Sequence, residues 1–211
     1  MALIKKLLFC LFISINFISI NFCLGAQNIY FASEIDRLEK LSEIPEQKGR
    51  AFTDLARLYQ LSGNREKALE YWMAASAADP LWRDDSALLE AVKLLISMGE
   101  FDRAGAELRT ILLSNRDEEI QKSAMVLFAQ LEAYKTGDCE PLIFLADNAN
   151  LKKYQNSIFY TLWKISYNES WKTRLLISFP NSAETEIIRE TPGIRAAMTP
   201  QWLLLPLRTA D

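Results

Sequence analysis

The chain has 211 residues, of which 50% are hydrophobic and 24% charged, and it contains seven Gly, seven Pro and no His. So few turn-forming residues argue against a β-sandwich or barrel, which needs a turn for each short strand. Without His, His-based catalytic triads and most catalytic zinc sites are excluded. The formal net charge of -3 provides no overall basic field that would attract nucleic acid.

Residues 1–26 have the three-part layout of a secretory signal peptide. Lys5 and Lys6 form a short basic start, an apolar run follows, and Gly25 and Ala26 supply small residues for cleavage. Two Asn within the apolar run disfavour a permanent membrane span, because an amide is costly in the bilayer core. We therefore predict export and cleavage, with an uncleaved anchor or a cytosolic protein as the alternatives.

Cleavage would remove two of the three cysteines and leave Cys139 alone. Lipidation at Cys23 is a minor alternative, because bulky Phe22 precedes it where a lipoprotein signal has a small residue. A single cysteine cannot form an intramolecular disulfide. We interpret Cys139 as a buried helix residue rather than as the site of an intermolecular disulfide.

The first predicted element after the leader is a capping helix within residues 27–48. Ile35, Leu38 and Leu41 recur at helical spacing and give this helix one apolar face. The hairpins that follow need a cover at their exposed end, and this helix lies in the right place to provide it.

A repeat then runs through the chain, marked by Gly63, Gly99 and Gly137 at spacings of 36 and 38 residues. Each glycine follows one amphipathic stretch and precedes another. A glycine in the left-handed conformation commonly ends a helix. The pattern therefore predicts successive pairs of helices, each joined by a tight turn.

Residues 49–80 carry this pattern in most detail and resemble the tetratricopeptide repeat, a helix-turn-helix unit of about 34 residues. Acceptable residue types fill all eight signature positions of that repeat: Phe52, Leu55, Ala56, Tyr59, Ala68, Trp72, Ala75 and Pro80. In this resemblance Gly63 forms the turn and Pro80 closes the second helix.

Later units follow the resemblance less closely. A second unit spans residues 85–116, and a third begins near Ser123, with Pro141 delaying or shortening its second helix. Apolar residues after position 150 indicate two more helices, the last of which ends at Pro180. Ser182 is then expected to cap a short helix that carries acidic residues in its first turn.

The resemblance implies an all-α, right-handed superhelical solenoid of three to four hairpins over residues 49–182. The remaining residues, 183–211, would form the short helix and an extended C-terminal strap. An apolar run at residues 199–207 is framed by prolines and cannot be a long helix. We favour a strap that seals the last hairpin, with a docking segment for another protein as the alternative.

Members of this family usually bind a partner segment along the first helix of each repeat. Transferred to this sequence, those positions are Arg50, Thr53, Arg57, Gln60, Leu89, Lys93, Leu127, Leu131 and Tyr134. The predicted groove changes from basic to apolar along the chain. Alternatively, the protein's own later helices or tail cover the apolar residues of the third unit.

Nothing else in the sequence indicates a catalytic set. The acidic residues 117–119 are expected at the start of a helix, where its dipole favours negative charge. We expect no catalytic residue, metal or cofactor, and no nucleic-acid partner. The sequence thus predicts a non-enzymatic protein-interaction scaffold, exported to the periplasm or envelope of a bacterium and without a membrane span after cleavage. An accessory subunit of an outer-membrane or cell-wall assembly complex is the alternative.

Overall fold

The computed structural model describes residues 30–81, 83–114 and 117–189. Within these ranges the chain forms ten α-helices and two short 3₁₀ segments, and no β-strand is present. The predicted all-α fold is therefore confirmed for this part of the chain. The predicted leader (1–26) and the apolar tail (199–207) lie outside the described residues.

The helices follow one another with short connections. Helix α1 spans residues 30–42, and the others are α2 (Lys48–Leu61), α3 (Arg65–Ser76), α4 (Asp85–Ser97), α5 (Phe101–Ser114), α6 (Glu118–Thr136), α7 (Glu140–Ala146), α8 (Gln155–Ser166), α9 (Glu169–Ser178) and α10 (Ala183–Ile188). The 3₁₀ segments are Pro45–Gln47 and Ala149–Tyr154. The chain divides into two compact units between Ala78 and Asp79, so that α1–α3 belong to the first unit and α4–α10 to the second.

In the first unit, α2 and α3 pack along each other. Leu55 and Ala56 on α2 and Ala68 on α3 are completely buried. Two alanines at this contact let the helix backbones approach closely, while Leu55 fills the space beside them. Leu38 of α1 is also buried, and its helix is joined to α3 by the Tyr71 hydroxyl, which donates to Glu39 Oε1 at 3.4 Å.

In the second unit, α4 packs on α5, α6 on α7, and α8 on α9. The first helices of these three pairs are also neighbours, since α4 contacts α6 and α6 contacts α8. The core consists mainly of aliphatic side chains from these helices, together with the buried rings of Phe159 and Tyr160. Aliphatic residues with no measurable exposure include Leu95, Leu108, Ile111, Leu142, Ile158, Leu162 and Leu175.

The turns after α2, α4 and α6 confirm the prediction made from the repeated glycines. Gly63, Gly99 and Gly137 have φ angles of 79°, 81° and 79°. Residues with a β-carbon rarely adopt this left-handed conformation. The turn after α8 is different, because Tyr167 occupies it with a φ of 55°.

Two expectations about helix starts are confirmed, and one about Cys139 is wrong. Helix α6 begins at Glu118, within the acidic residues that were expected at a helix start and five residues before the expected start of the third repeat unit; the Asp117 side chain accepts the N–H groups of residues 119 and 120 and caps the helix. Cys139 is only half-buried and lies at the N-cap of α7, so it is not a buried helix residue. The short helix predicted after Ser182 is present, and Ser182 Oγ accepts the N–H of Thr185 at 3.2 Å.

Two polar contacts hold α8 against its neighbours. The side-chain amide of Gln130 on α6 donates to Thr161 Oγ1 at 3.0 Å, and both residues are buried. On the other side, Asn156 Nδ2 donates to Glu184 Oε2 of α10 at 2.8 Å. Buried polar groups without partners cost about 1–3 kcal/mol, so these bonds restrict how α6, α8 and α10 can pack. None of the helices described here is long and apolar enough to cross a membrane.

Candidate partner-binding surface

Four predicted site residues lie on α2 at spacings of three and four, which places them on one face of the helix. Arg50, Arg57 and Gln60 are exposed, and Thr53 is half-buried. Thr53 Oγ1 donates to the carbonyl of Gly49 at 3.0 Å, so its hydroxyl is turned back to its own helix. Two arginines and one side-chain amide therefore make up most of this exposed face.

Trp72 of α3 holds two of these side chains. Its indole N–H donates to Gln60 Oε1 at 3.2 Å, and the Arg57 guanidinium carbon lies 6.0 Å from its ring centre. Trp72 itself is only 4% exposed. A buried ring thus reaches the polar face of α2 and orients Arg57 and Gln60 there. The sequence prediction treated Trp72 as a core residue only, and no sequence signal shows which side chains its edge meets.

Two of the three cationic residues of the predicted site, Arg57 and Lys93, pair with acidic residues on their own helices. Arg57 Nη1 lies 3.6 Å from Asp54 Oδ1, and Lys93 Nζ lies 2.5 Å from Glu90 Oε1. Ion pairs that solvent reaches contribute about 0–1 kcal/mol and can be exchanged for other partners. The predicted basic character of the groove is therefore reduced by these carboxylates.

The apolar members of the predicted site are in the second unit, and three of them are buried. Leu89, Leu127 and Leu131 are 7%, 5% and 3% exposed. A β-carbon built on Gly105 of α5 would lie 3.8 Å from Leu131 Cδ2, so Leu131 packs on the helix that precedes α6. Tyr134 is half-buried, with its ring 5.3 Å from that of Phe101. This burial favours the alternative in which the chain itself covers these residues, although at Leu131 an earlier helix contributes the cover.

Aromatic rings of α2 and α3 form a cluster between the two helices. The rings of Tyr59 and Tyr71 are stacked with centres 5.4 Å apart, and Phe52 lies 5.9 Å from Tyr71. Lys67 Nζ sits 4.8 Å above the Tyr59 ring. Burial raises the pKa of Tyr71 to about 12, and the nearby Glu39 carboxylate adds to the effect. The cluster links α2 to α3 and leaves little freedom for the helix that carries Arg57.

The described part of the chain contains no group of three or more potential metal ligands among its Cys, Asp and Glu side chains. Burial raises the pKa of the Cys139 thiol, and Asp138 adds to this effect. A higher pKa leaves less of the reactive thiolate at neutral pH.

Comparison with known families adds one similarity. The TP_0752_M family model, described as a middle domain, matches residues 130–211. This match begins within α6 and covers less than half of the chain. A comparison with curated proteins found no match. The protein is therefore all-α over its described residues, and its C-terminal part is similar to that middle domain.

Proposed function

We propose that this chain is a non-enzymatic scaffold of the tetratricopeptide-repeat type that holds a segment of a partner protein. The observation that carries the proposal is the exposed polar face of α2, where Gln60 accepts from the indole N–H of Trp72 and the Arg57 guanidinium lies over its ring. Ordered side chains lose less entropy on binding than free ones do. Such a face suits recognition of a partner better than a randomly solvated helix.

The repeat architecture is supported by three features of the described helices. Gly63, Gly99 and Gly137 end α2, α4 and α6 in the same left-handed conformation. Small residues are buried where paired helices meet in the first unit. In the second unit, successive first helices are neighbours, as a right-handed solenoid of helical hairpins requires.

The partner chemistry follows from the residues that reach solvent. Arg50, Arg57 and Gln60 offer guanidinium and amide groups, and the guanidinium fork suits a carboxylate. We propose an acidic peptide segment as the ligand, with its carboxylate displacing Asp54 from Arg57. Within the second unit, Leu89, Leu127 and Leu131 would support α4 and α6 from inside, and Lys93 and Tyr134 stay predicted partner contacts of that unit.

Export remains part of the proposal and rests on the predicted leader. A cleaved chain would work in the periplasm or envelope of a bacterium, where a partner segment from an envelope complex could reach the α2 face. An accessory role in outer-membrane or cell-wall assembly is the alternative within the same compartment, and the identity of the captured partner would distinguish the two.

The test is a crosslinking pull-down from envelope extract, followed by mass spectrometry. The variant Arg57→Glu with Lys93→Glu should lose the dominant partner while keeping its helical circular dichroism. The matched control is Arg65→Glu with Arg103→Glu, which reverses two exposed charges on the second helices, α3 and α5, and should capture normally. Unchanged capture by the first variant would contradict the proposed face, and capture of wall-synthesis proteins would favour the accessory role.

A further inference from the structure

The turn between α8 and α9 differs from the turns after α2, α4 and α6, which contain a left-handed glycine. Where three hairpins place a glycine with φ near 80°, this hairpin places Tyr167 with φ 55° and ψ 18°. Its N–H donates to the carbonyl of Trp163 at 2.9 Å, so the left-handed residue is needed to end α8. A β-carbon makes this conformation unfavourable. An unfavourable conformation at one position is a reason to look for a function of the side chain there.

The Tyr167 ring is not used for packing, because the residue is 62% exposed. One turn earlier, the indole of Trp163 is half-buried, and its N–H donates to Glu169 Oε1 at 3.0 Å. Two ammonium groups flank this indole, with Lys164 Nζ at 4.9 Å and Lys172 Nζ at 5.1 Å from its ring centre. Aromatic rings and lysines are therefore concentrated at one end of this hairpin.

The sequence around this end is basic although the whole chain is acidic. Across α8 and α9, positions 155 to 178, there are three basic residues, Lys164, Lys172 and Arg174, and a single acid, Glu169, whose Oε2 lies 3.4 Å from Lys172 Nζ. The hairpin thus has a local charge of +2 in a chain of net charge -3. This positive charge complements an anionic surface.

We propose that the tip of the α8–α9 hairpin docks on an anionic lipid surface. The tip is defined by Trp163, Lys164, Tyr167 and Lys172. Tyr and Trp rings favour the headgroup region of a bilayer, where an apolar ring and a polar edge are both satisfied. Lysines attract anionic headgroups, and their apolar stems pack along the neighbouring rings.

The position of Tyr167 explains why an aromatic residue replaces glycine there. It is the turn residue between two helices, so it projects at the apex of the hairpin, where a flat surface can approach it. A glycine would form the same turn more easily but would present no ring. This inference depends on α8 and α9 alone and not on the α2 face proposed above for a protein partner.

The experiment measures cosedimentation of residues 27–211, which include every described residue, with vesicles. One vesicle set contains phosphatidylglycerol and phosphatidylethanolamine, and the other contains only neutral phosphatidylcholine. We expect binding to the anionic set, weakening as salt is added because the charges become screened. Equal binding to both sets, or no binding to the anionic set, would overturn the proposal.

Two tip variants locate the contact. Tyr167→Gly should keep or raise the melting temperature, because glycine relieves the strained φ, and should weaken vesicle binding several-fold. A merely structural role for Tyr167 would not separate these two effects. Lys164→Gln with Lys172→Gln should weaken binding by about fivefold for each lysine.

The matched controls remove similar groups elsewhere in the second unit. Lys152→Gln with Lys153→Gln makes the same change of charge at the other end of α8, which is roughly 18 Å away for a helix of that length. Phe144→Ala removes a ring that is 79% exposed on α7. Both should bind as the parent does. An equal loss in the lysine control, or a tip that captures an acidic polypeptide but no vesicle, would contradict docking on lipid.

Discussion

Helices α2 and α6 are each the first helix of a hairpin and each end at a left-handed glycine, and yet their equivalent residues have opposite roles. Arg57 precedes Gly63 by the same number of residues as Leu131 precedes Gly137. Arg57 is exposed beside Trp72, whereas Leu131 is buried on α5. Within its unit α6 contacts α4, α5, α7 and α8, while α2 pairs mainly with α3. Register in a repeat therefore predicts which residues correspond, but the neighbouring helices decide what they do.

The largest expected difference between the two helices is in stability. Leu131→Ala should lower the free energy of unfolding by about 2–5 kcal/mol, because it removes buried methyl groups and leaves a cavity against α5. Arg57→Ala should change it by less than about 1 kcal/mol, because an exposed ion pair contributes little. Urea denaturation followed by circular dichroism measures both. Equal losses would show that the two positions are not as different as their exposure indicates.

A smaller loss of stability is expected when the hydrogen bond between α6 and α8 is removed. Thr161→Val keeps the shape of the side chain but removes the oxygen that accepts from Gln130. The buried amide then lacks this partner, which should cost about 1–3 kcal/mol in the same denaturation experiment. Thr173→Val on the exposed side of α9 is the control and should be nearly neutral. Recovery of stability on adding Gln130→Leu would confirm the amide as the cause.

The smallest effects should have opposite signs at two glycines, one after α2 and one facing α6. Gly63→Ala should destabilise by about 1–2 kcal/mol, because φ is 79° there. Gly105→Ala should stabilise by up to about 1 kcal/mol, since alanine favours a helix and its β-carbon would lie at an ordinary 3.8 Å from Leu131. Thermal melting of the two variants checks this, and a gain at Gly63 would contradict the role assigned to its φ angle.

Local features were the ones that could be predicted without the structure. The three glycine turns, the acidic start of α6 and the Ser182 cap all depend on residues within a few positions of one another, and all were found where the patterns predicted them. The third repeat unit was expected to begin near Ser123, whereas its first helix, α6, already begins at Glu118, where Asp117 caps it. Cys139 was misassigned because its half-buried position depends on how α7 packs.

Contacts between residues far apart in the chain could not be predicted from the sequence. Trp72 contacts Gln60 and Arg57 only because α3 packs along α2. The hydrogen bond from Gln130 to Thr161 joins residues that are 31 positions apart in the chain. No periodicity in a single sequence shows which side chains face each other across two helices. The predicted site therefore mixed residues that are exposed on α2 with leucines that are buried in the second unit.

The sequence by itself determined that the chain forms amphipathic helices and where left-handed turns separate most of them, because helix periodicity and glycine conformation are local properties. Only the tertiary structure decided which of the equivalent positions reach solvent, since burial is set by neighbouring helices rather than by the residue alone. It also decided that the hairpin turn without a glycine exposes Tyr167 beside Trp163 and two lysines. Both proposed surfaces depend on such juxtapositions, which arise when helices that are separate in the chain pack together.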